Sequence, residues 1–157
     1  MKPAPRTLDN TDIEILSWLF RDARISNKDL AQHIGMSPSS CLERVKRLQT
    51  DGIIEGSSLM LNFSALGGHL QAMVSVRLSN HNRQTVDQFQ QDVLQQPEVI
   101  GLFHMGGEDD FLVHITVSDT THLRDFVLDA ITARAEVNHV ETALVYDYQV
   151  SRRLPSF

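Results

Sequence analysis

Three cations, Arg44, Lys46 and Arg47, fall within four consecutive residues, and three hydroxyls, Ser37, Ser39 and Ser40, lie just ahead of them. A guanidinium fork suits a phosphate or the O6/N7 edge of guanine, and an ammonium suits a phosphate as a point charge. Short hydroxyl side chains at a helix start let that helix come close to a base edge. Arg44 and Arg47 are therefore expected to reach a guanine edge or a phosphate, and Lys46 the nucleic-acid backbone. The plainer meaning of the same residues is a solvated basic face on an ordinary helix cluster. Farther along, Gly106-Gly107 followed by Glu108-Asp109-Asp110 reads on its own as a tight, solvated acidic hairpin. His104 and His114 could meet on a sheet face, but no third ligand has metal-site spacing, so no metal site is expected. No catalytic constellation is expected either.

The cations need a helix to carry them, and the flanking residues supply one. Asp9 can cap a first helix to about Asp22, with Ile13, Leu16, Leu19 and Phe20 at core spacing and Trp18 covering a neighbouring surface. Ser26 and Asp29 have capping-box spacing and open a second helix carrying Leu30, Ala31 and Ile34. Gly35 can take the left-handed conformation that ends it. Ser37 can cap the next helix, and Pro38 fits its first position, where no N–H is needed. That third helix runs from Pro38 to about Thr50 and stops at Gly52. Cys41, Leu42, Val45 and Leu48 fall on its inner side. Ser39, Ser40, Glu43, Arg47 and Thr50 lie opposite, with Arg44 and Lys46 at the edges. The pair of helices has helix-turn-helix spacing. Ile53 to Leu61 reads as two short extended pieces around Gly56, a β-wing, which makes residues 1–60 a winged helix-turn-helix DNA-binding domain.

Residues 61–69, with Gly67-Gly68, read as a linker. From 70 to 157 strands and helices alternate: Ala72–Leu78, a helix from about Arg83 to Gln96 ended by Pro97, Val99–His104, Phe111–Val117, a helix from about Thr121 to Arg134, and Val140–Val150. The order βαββαβ is that of a ferredoxin-like sheet with two helices on one face, so the fold class is α+β. Phe111, Val113, Ile115 and Val117 can face the helices. Leu112, His114 and Thr116 are left on the open side, where Ile100, Leu102 and His104 are expected to join them. A half-apolar open face calls for a partner, and a second copy is the simplest one, so a homodimer is expected.

Bulk properties narrow the class. The chain is 41% hydrophobic and 22% charged, as in ordinary folded soluble proteins. No apolar run approaches the roughly 20 residues of a membrane span, and MKPAPRTLDN lacks the apolar core of a secretory signal. Cys41 is the single cysteine, which rules out an intrachain disulfide and fits a reducing, cytoplasmic setting; on the inner side of its helix it reads as a packing residue. The net charge of −6 argues against nonspecific coating of nucleic acid, but residues 1–60 hold eight Lys/Arg and eight Asp/Glu and are neutral. All of the −6 lies in residues 61–157, with six bases and twelve acids. A local basic patch is what DNA binding needs. The arm through Arg6, with Pro3 and Pro5, reads as mobile, and Arg152-Arg153 as phosphate contacts or a solvated tail.

These residues resemble those of the Lrp/AsnC (feast/famine) family of transcription regulators. The likeness runs through Leu8-Asp9, Asp12-Ile13, Ile15-Leu16 and Asp22-Ala23-Arg24-Ile25-Ser26. It continues in Leu30-Ala31, Ile34-Gly35-Met36-Ser37-Pro38 and Cys41-Leu42-Glu43-Arg44-Val45-Lys46-Arg47-Leu48, then Gly52-Ile53-Ile54. The resemblance implies a winged helix domain plus a βαββαβ effector domain, dimers that assemble into octamers, and control by a small molecule, typically an amino acid. It places the effector between protomers near the loop joining the second and third strands, where the family pattern is Gly-Asp-aromatic-Asp-aromatic. Here Gly107 and Asp110 match, Glu108 is a conservative change, and Asp109 stands for an aromatic. Glycine would let N–H groups approach a carboxylate, Glu108 or Asp110 could hold an ammonium, and Thr142 matches a position whose hydroxyl completes the site. The extra charge at Asp109 leaves a cationic or histidine-like ligand open.

The expected function is then a sequence-specific, effector-modulated transcription regulator that binds double-stranded DNA, with no cofactor. Two other readings stand beside it. One is a haem-pathway decarboxylase-like enzyme on the same fold, poorly served by an acidic loop where propionates need bases. The other is an effector-independent DNA organiser.

Overall fold

The computed structural model describes residues 7–156; the expected mobile arm through Arg6 lies outside them. Helix α1 (Asn10–Arg21) starts at Asp9, whose Oδ1 accepts the Asp12 N–H at 2.8 Å while Asp12 answers from the Asp9 N–H at 3.4 Å. Helix α2 (Asn27–His33) starts at Ser26, which accepts the Asp29 N–H at 3.1 Å. Helix α3 (Pro38–Thr50) starts at Ser37, which accepts the Ser40 N–H at 3.2 Å. Such caps satisfy donors that a helix start leaves open, at about 1 kcal/mol each. Between α2 and α3, Gly35 turns the chain at φ +68°, a conformation costly to any residue with a Cβ.

Ile15, Leu30, Ala31, Cys41 and Leu48 form the core of this helical unit. The inward face of α1 differs from the expected stripe: Ile15 is fully buried, whereas Ile13 and Phe20 are 43% and 49% exposed. Asp12, one turn before Ile15 on the same face, is drawn inward with it by Arg44 of α3. Ile13 and Phe20 instead line an apolar groove of about 640 Å³ with Ile53, Ile54 and the tail residues Leu154 and Pro155. Leu42, placed inside by the helical wheel, sits at the edge, 43% exposed. Trp18 does cover a neighbour, stacking on His33 with ring centroids 4.0 Å apart. Residues 53–61 form no strand. Both N–H groups that would open the wing hairpin, those of Ile53 and Ile54, are taken by the Leu48 carbonyl.

Leu61–Tyr148 forms a separate compact unit, and the tail from Gln149 groups with the helical unit. After a short 3-10 turn over Phe63–Leu66, the order is β1 (Leu70–Leu78), α4 (Arg83–Val93), β2 (Val99–His104), β3 (Phe111–Val117), α5 (Thr120–Phe126) and β4 (Val137–Val145). Helix α5 widens into a π-helical segment over Val127–Thr132. The strands lie β2-β3-β1-β4, all neighbours antiparallel, as a ferredoxin-like sheet requires. Ala72, Val74, Val76 and Leu78 of β1 and Phe111, Val113, Ile115 and Val117 of β3 pack on Phe89, Val93, Phe126 and Ile131 of the helices. Each buried side chain of this kind contributes roughly 1.5–3 kcal/mol. Strand β4 begins and ends earlier than its apolar pattern suggests. Val137 pairs with Leu78 across an irregularity in β1, and past Val145, which faces Gln71, β1 offers almost no further partner.

The open face differs at β2. A register shift between Val99 and Gly101 changes the parity of the rest of the strand, so Leu102 pairs with Val113 and His104 with Phe111. Both therefore turn toward the helices, not to the open side as expected, and Phe103 and Gly101 take their places. No helix is long and apolar enough to cross a membrane among the described residues.

Candidate nucleic-acid interface and effector loop

Helix α3 exposes Ser39, Ser40, Lys46 and Arg47 while Cys41 and Leu48 anchor its other side. Asn27 Nδ2 donates to the Pro38 carbonyl at 2.7 Å, which ties the start of α2 to the start of α3 and fixes the turn between them. The Ser37 hydroxyl serves the cap: besides accepting the Ser40 N–H it donates to Ser40 Oγ at 2.8 Å and lies 3.1 Å from Ser39 Oγ. It orders the serines at the helix start more than it offers a contact of its own. Burial pushes the Cys41 thiol up, so it stays protonated and serves packing.

Arg44 departs furthest from expectation. Its Nη1 donates to Asp9 Oδ2 at 2.7 Å and to Asp12 Oδ1 at 2.8 Å. The bonds to Asp9 and then Asp12 raise its already high pKa. The side chain is turned onto α1 instead of outward to a guanine edge, because two carboxylates at the start of α1 come within reach of the middle of α3.

The turn between β2 and β3 is closed by the Met105 N–H to the Asp110 carbonyl at 2.7 Å and the Asp110 N–H to the Val76 carbonyl at 2.9 Å. Asp110 Oδ2 accepts the Leu78 N–H at 2.7 Å and lies 3.0 Å from His81 Nε2, so this carboxylate secures the end of β1. Glu108 and Asp109 both accept from Arg77 Nη2, at 2.7 and 3.3 Å. The Glu108 bond is the leading cause of a raised Arg77 pKa. Sequence reading missed Arg77; the only signal for it was a cation near the end of β1, where the loop would return. Gly107 stays exposed, and a Cβ there would meet nothing within 4 Å. The structure thus gathers Gly107, Glu108, Asp109 and Asp110. Thr142 stands apart, opposite Val74 on the far side of β1, and no hydrogen bond joins it to the loop among the described residues. His104 and His114 lie on opposite sheet faces: His104 stacks on Phe111 at 4.9 Å, and His114 Nε2 lies 2.9 Å from Gln71 Oε1.

Comparison with known proteins decides what this arrangement belongs to. Residues 8–55 match a winged helix-turn-helix DNA-binding family, and residues 71–154 match the Lrp/AsnC ligand binding domain. The chain belongs to the Lrp/AsnC family. It is 38% identical over 143 residues to the transcriptional regulator AldR of Mycolicibacterium smegmatis, covering 91% of this chain and 84% of the relative. To the leucine-responsive regulatory protein of Escherichia coli it is 32% identical over 142 residues, covering 90% and 87%. A transcriptional regulator of Neisseria meningitidis, solved in complex with L-methionine, superposes with a TM-score of 0.86 at 31% identity, over 95% of this chain and 97% of that one. Like its Lrp/AsnC relatives, this chain is a DNA-binding transcriptional regulator with a small-molecule effector domain. Within the Lrp/AsnC loop pattern, Asp109 in place of an aromatic gives Arg77 a second carboxylate to hold.

Proposed function

We propose that α3 enters the major groove of double-stranded DNA with Ser39, Ser40, Lys46 and Arg47 facing base edges and phosphates, while Ser37 and Arg44 hold it in place. The observation that carries this reading is the outer face of α3, polar and cationic on a helix whose inner side is locked in the core. An amino-acid effector binds at the loop, its carboxylate against the N–H groups around Gly107 and its ammonium against Glu108, with Thr142 of a second protomer completing the site. Support comes from the exposed glycine and from the methionine complex of the Neisseria relative.

The protein acts as a cytoplasmic homodimer through the open sheet face, where Phe103 is 56% exposed beside half-buried Leu112 and Met73, and dimers assemble into octamers. It works without catalysis, as its relatives' names fit. Footprinting on the duplex upstream of its own coding sequence tests the DNA reading. Two protected half-sites about 34 Å apart, one helical turn, are expected from a two-fold pair of α3 helices. Uniform protection at all positions would favour the organiser.

A further inference from the structure

We infer that Arg77 is a specificity-determining residue that closes the effector loop to cationic side chains, so that the effector is an amino acid with an uncharged side chain. The inference rests on the reading of that loop as the effector site. Taken alone, Glu108-Asp109-Asp110 would suit a cation, and Asp109 adds a carboxylate where the Lrp/AsnC pattern has an aromatic. The fold supplies partners for these carboxylates from within the chain. Arg77 Nη2 donates to Glu108 Oε1 at 2.7 Å and to Asp109 Oδ1 at 3.3 Å. Asp110 Oδ2 accepts the Leu78 N–H and lies 3.0 Å from His81 Nε2.

Strand geometry puts Arg77 there. Val76 and Leu78 on either side of it are in the core, so Arg77 stands on the open face of the sheet, opposite His139 of β4. The β2–β3 turn reaches it because the Asp110 N–H is bound to the Val76 carbonyl. The Arg77 side chain is 31% exposed, and its Nε is buried without a hydrogen-bond partner among the described residues. The loop carboxylates hold this guanidinium against the protein, and a cation fixed at that point repels a second one. Every free amino acid brings one ammonium and one carboxylate, a net charge of zero. Glu108, with its side chain 83% exposed, can face the ammonium while the N–H groups around Gly107 face the carboxylate. Lysine or arginine would add a positive charge beside Arg77, where none of the three loop carboxylates lacks a partner. Glutamate would add a further anion to three acids and one guanidinium.

Gel-shift titrations on the upstream duplex, with each common amino acid added singly at matched ionic strength, test this. Wild type should respond to one or more uncharged side chains and to none of lysine, arginine and glutamate. Arg77→Gln releases both carboxylates and should respond to lysine or arginine at concentrations about tenfold below any that moves wild type. Arg77→Lys keeps a cation and should select as wild type does, which separates charge from loop shape. Circular dichroism checks that both variants are folded. The inference is overturned by wild type answering a charged amino acid or no uncharged one. It is equally overturned by Arg77→Gln still ignoring lysine and arginine, or by Arg77→Lys accepting them. Gly107→Val distinguishes these failures from failure of the site. A Cβ at Gly107 meets nothing within 4 Å, so the variant keeps the fold and screens the loop N–H groups. A lost response in Gly107→Val keeps the effector at the loop, whatever the charge result. An unchanged response removes the effector from the loop and takes the inference with it.

Discussion

At the scale of single residues, one polar side chain on the sheet's open face shows how burial, charge and pH are linked. His114 is 6% exposed, faces Gln71, and meets Tyr148 edge-on with ring centroids 5.2 Å apart. Burial holds its pKa below the usual value of 6.5. The unfolded chain takes up a proton near that value, and the folded one resists until lower pH. Stability from the neutral ring is thus fully present above the unfolded pKa and is lost as pH falls from there through the depressed folded pKa. Urea unfolding is expected to show the wild type losing stability more steeply than His114→Gln between about pH 7 and about pH 5. Parallel curves would show that the histidine does not carry this dependence. Asp92 behaves in the usual carboxylate sense: its bonds from Arg134 and then Gln88 hold it below its ordinary value, so its contribution fades only under more acid conditions.

At the scale of elements, the 3-10 turn before β1 is seated by a close approach. A Cβ on Gly68 would overlap Thr116 Oγ1 of β3 and come within 3.2 Å of the Phe63 carbonyl. Gly68→Ala is expected to destabilise by about 1–3 kcal/mol in chemical denaturation. Adding Thr116→Ala should recover part of the loss, because it removes the overlapping hydroxyl, which is buried without a hydrogen-bond partner among the described residues. Equal losses for the single and double variants would contradict the packing account. What sequence made legible at this scale was local. Asp9, Ser26 and Ser37 announce helix starts because a cap and the N–H that donates to it are three residues apart, and alternation along Phe111–Val117 gives the buried face of β3 directly. Three features were not legible. One register shift in β2 reversed the faces of Leu102 and His104, since side chains alternate with a period of two and a single extra residue inverts everything after it. The Arg44–Asp12 contact joins residues 32 apart, and only the packing of α3 on α1 brings them together. The same distance hid Arg77, 31 residues from Glu108.

At the scale of the whole molecule, charge and function are divided along the chain. The net −6 belongs to residues 61–157, while the helix-turn-helix part is neutral and carries three of its eight cations on α3. DNA affinity in such a protein depends on a local face, and the acidic remainder limits nonspecific binding. The family was legible through the resemblance carried by the helix-turn-helix residues, and the order of elements through their apolar patterning. Whether the loop's carboxylates were open to a ligand was not, because Asp110 is occupied by β1 and His81, and Glu108 and Asp109 by Arg77. At the proposed loop site, an effector would be read by the exposed glycine backbone, would compete with Arg77 for Glu108, and would act by favouring one state of the DNA-binding assembly. The most direct test is a gel-shift titration on the upstream duplex with and without pooled amino acids. The account predicts binding at low salt whose midpoint moves when the pool is present. A shift indifferent to every amino acid would contradict effector control, and no shift at low salt would contradict the regulator itself.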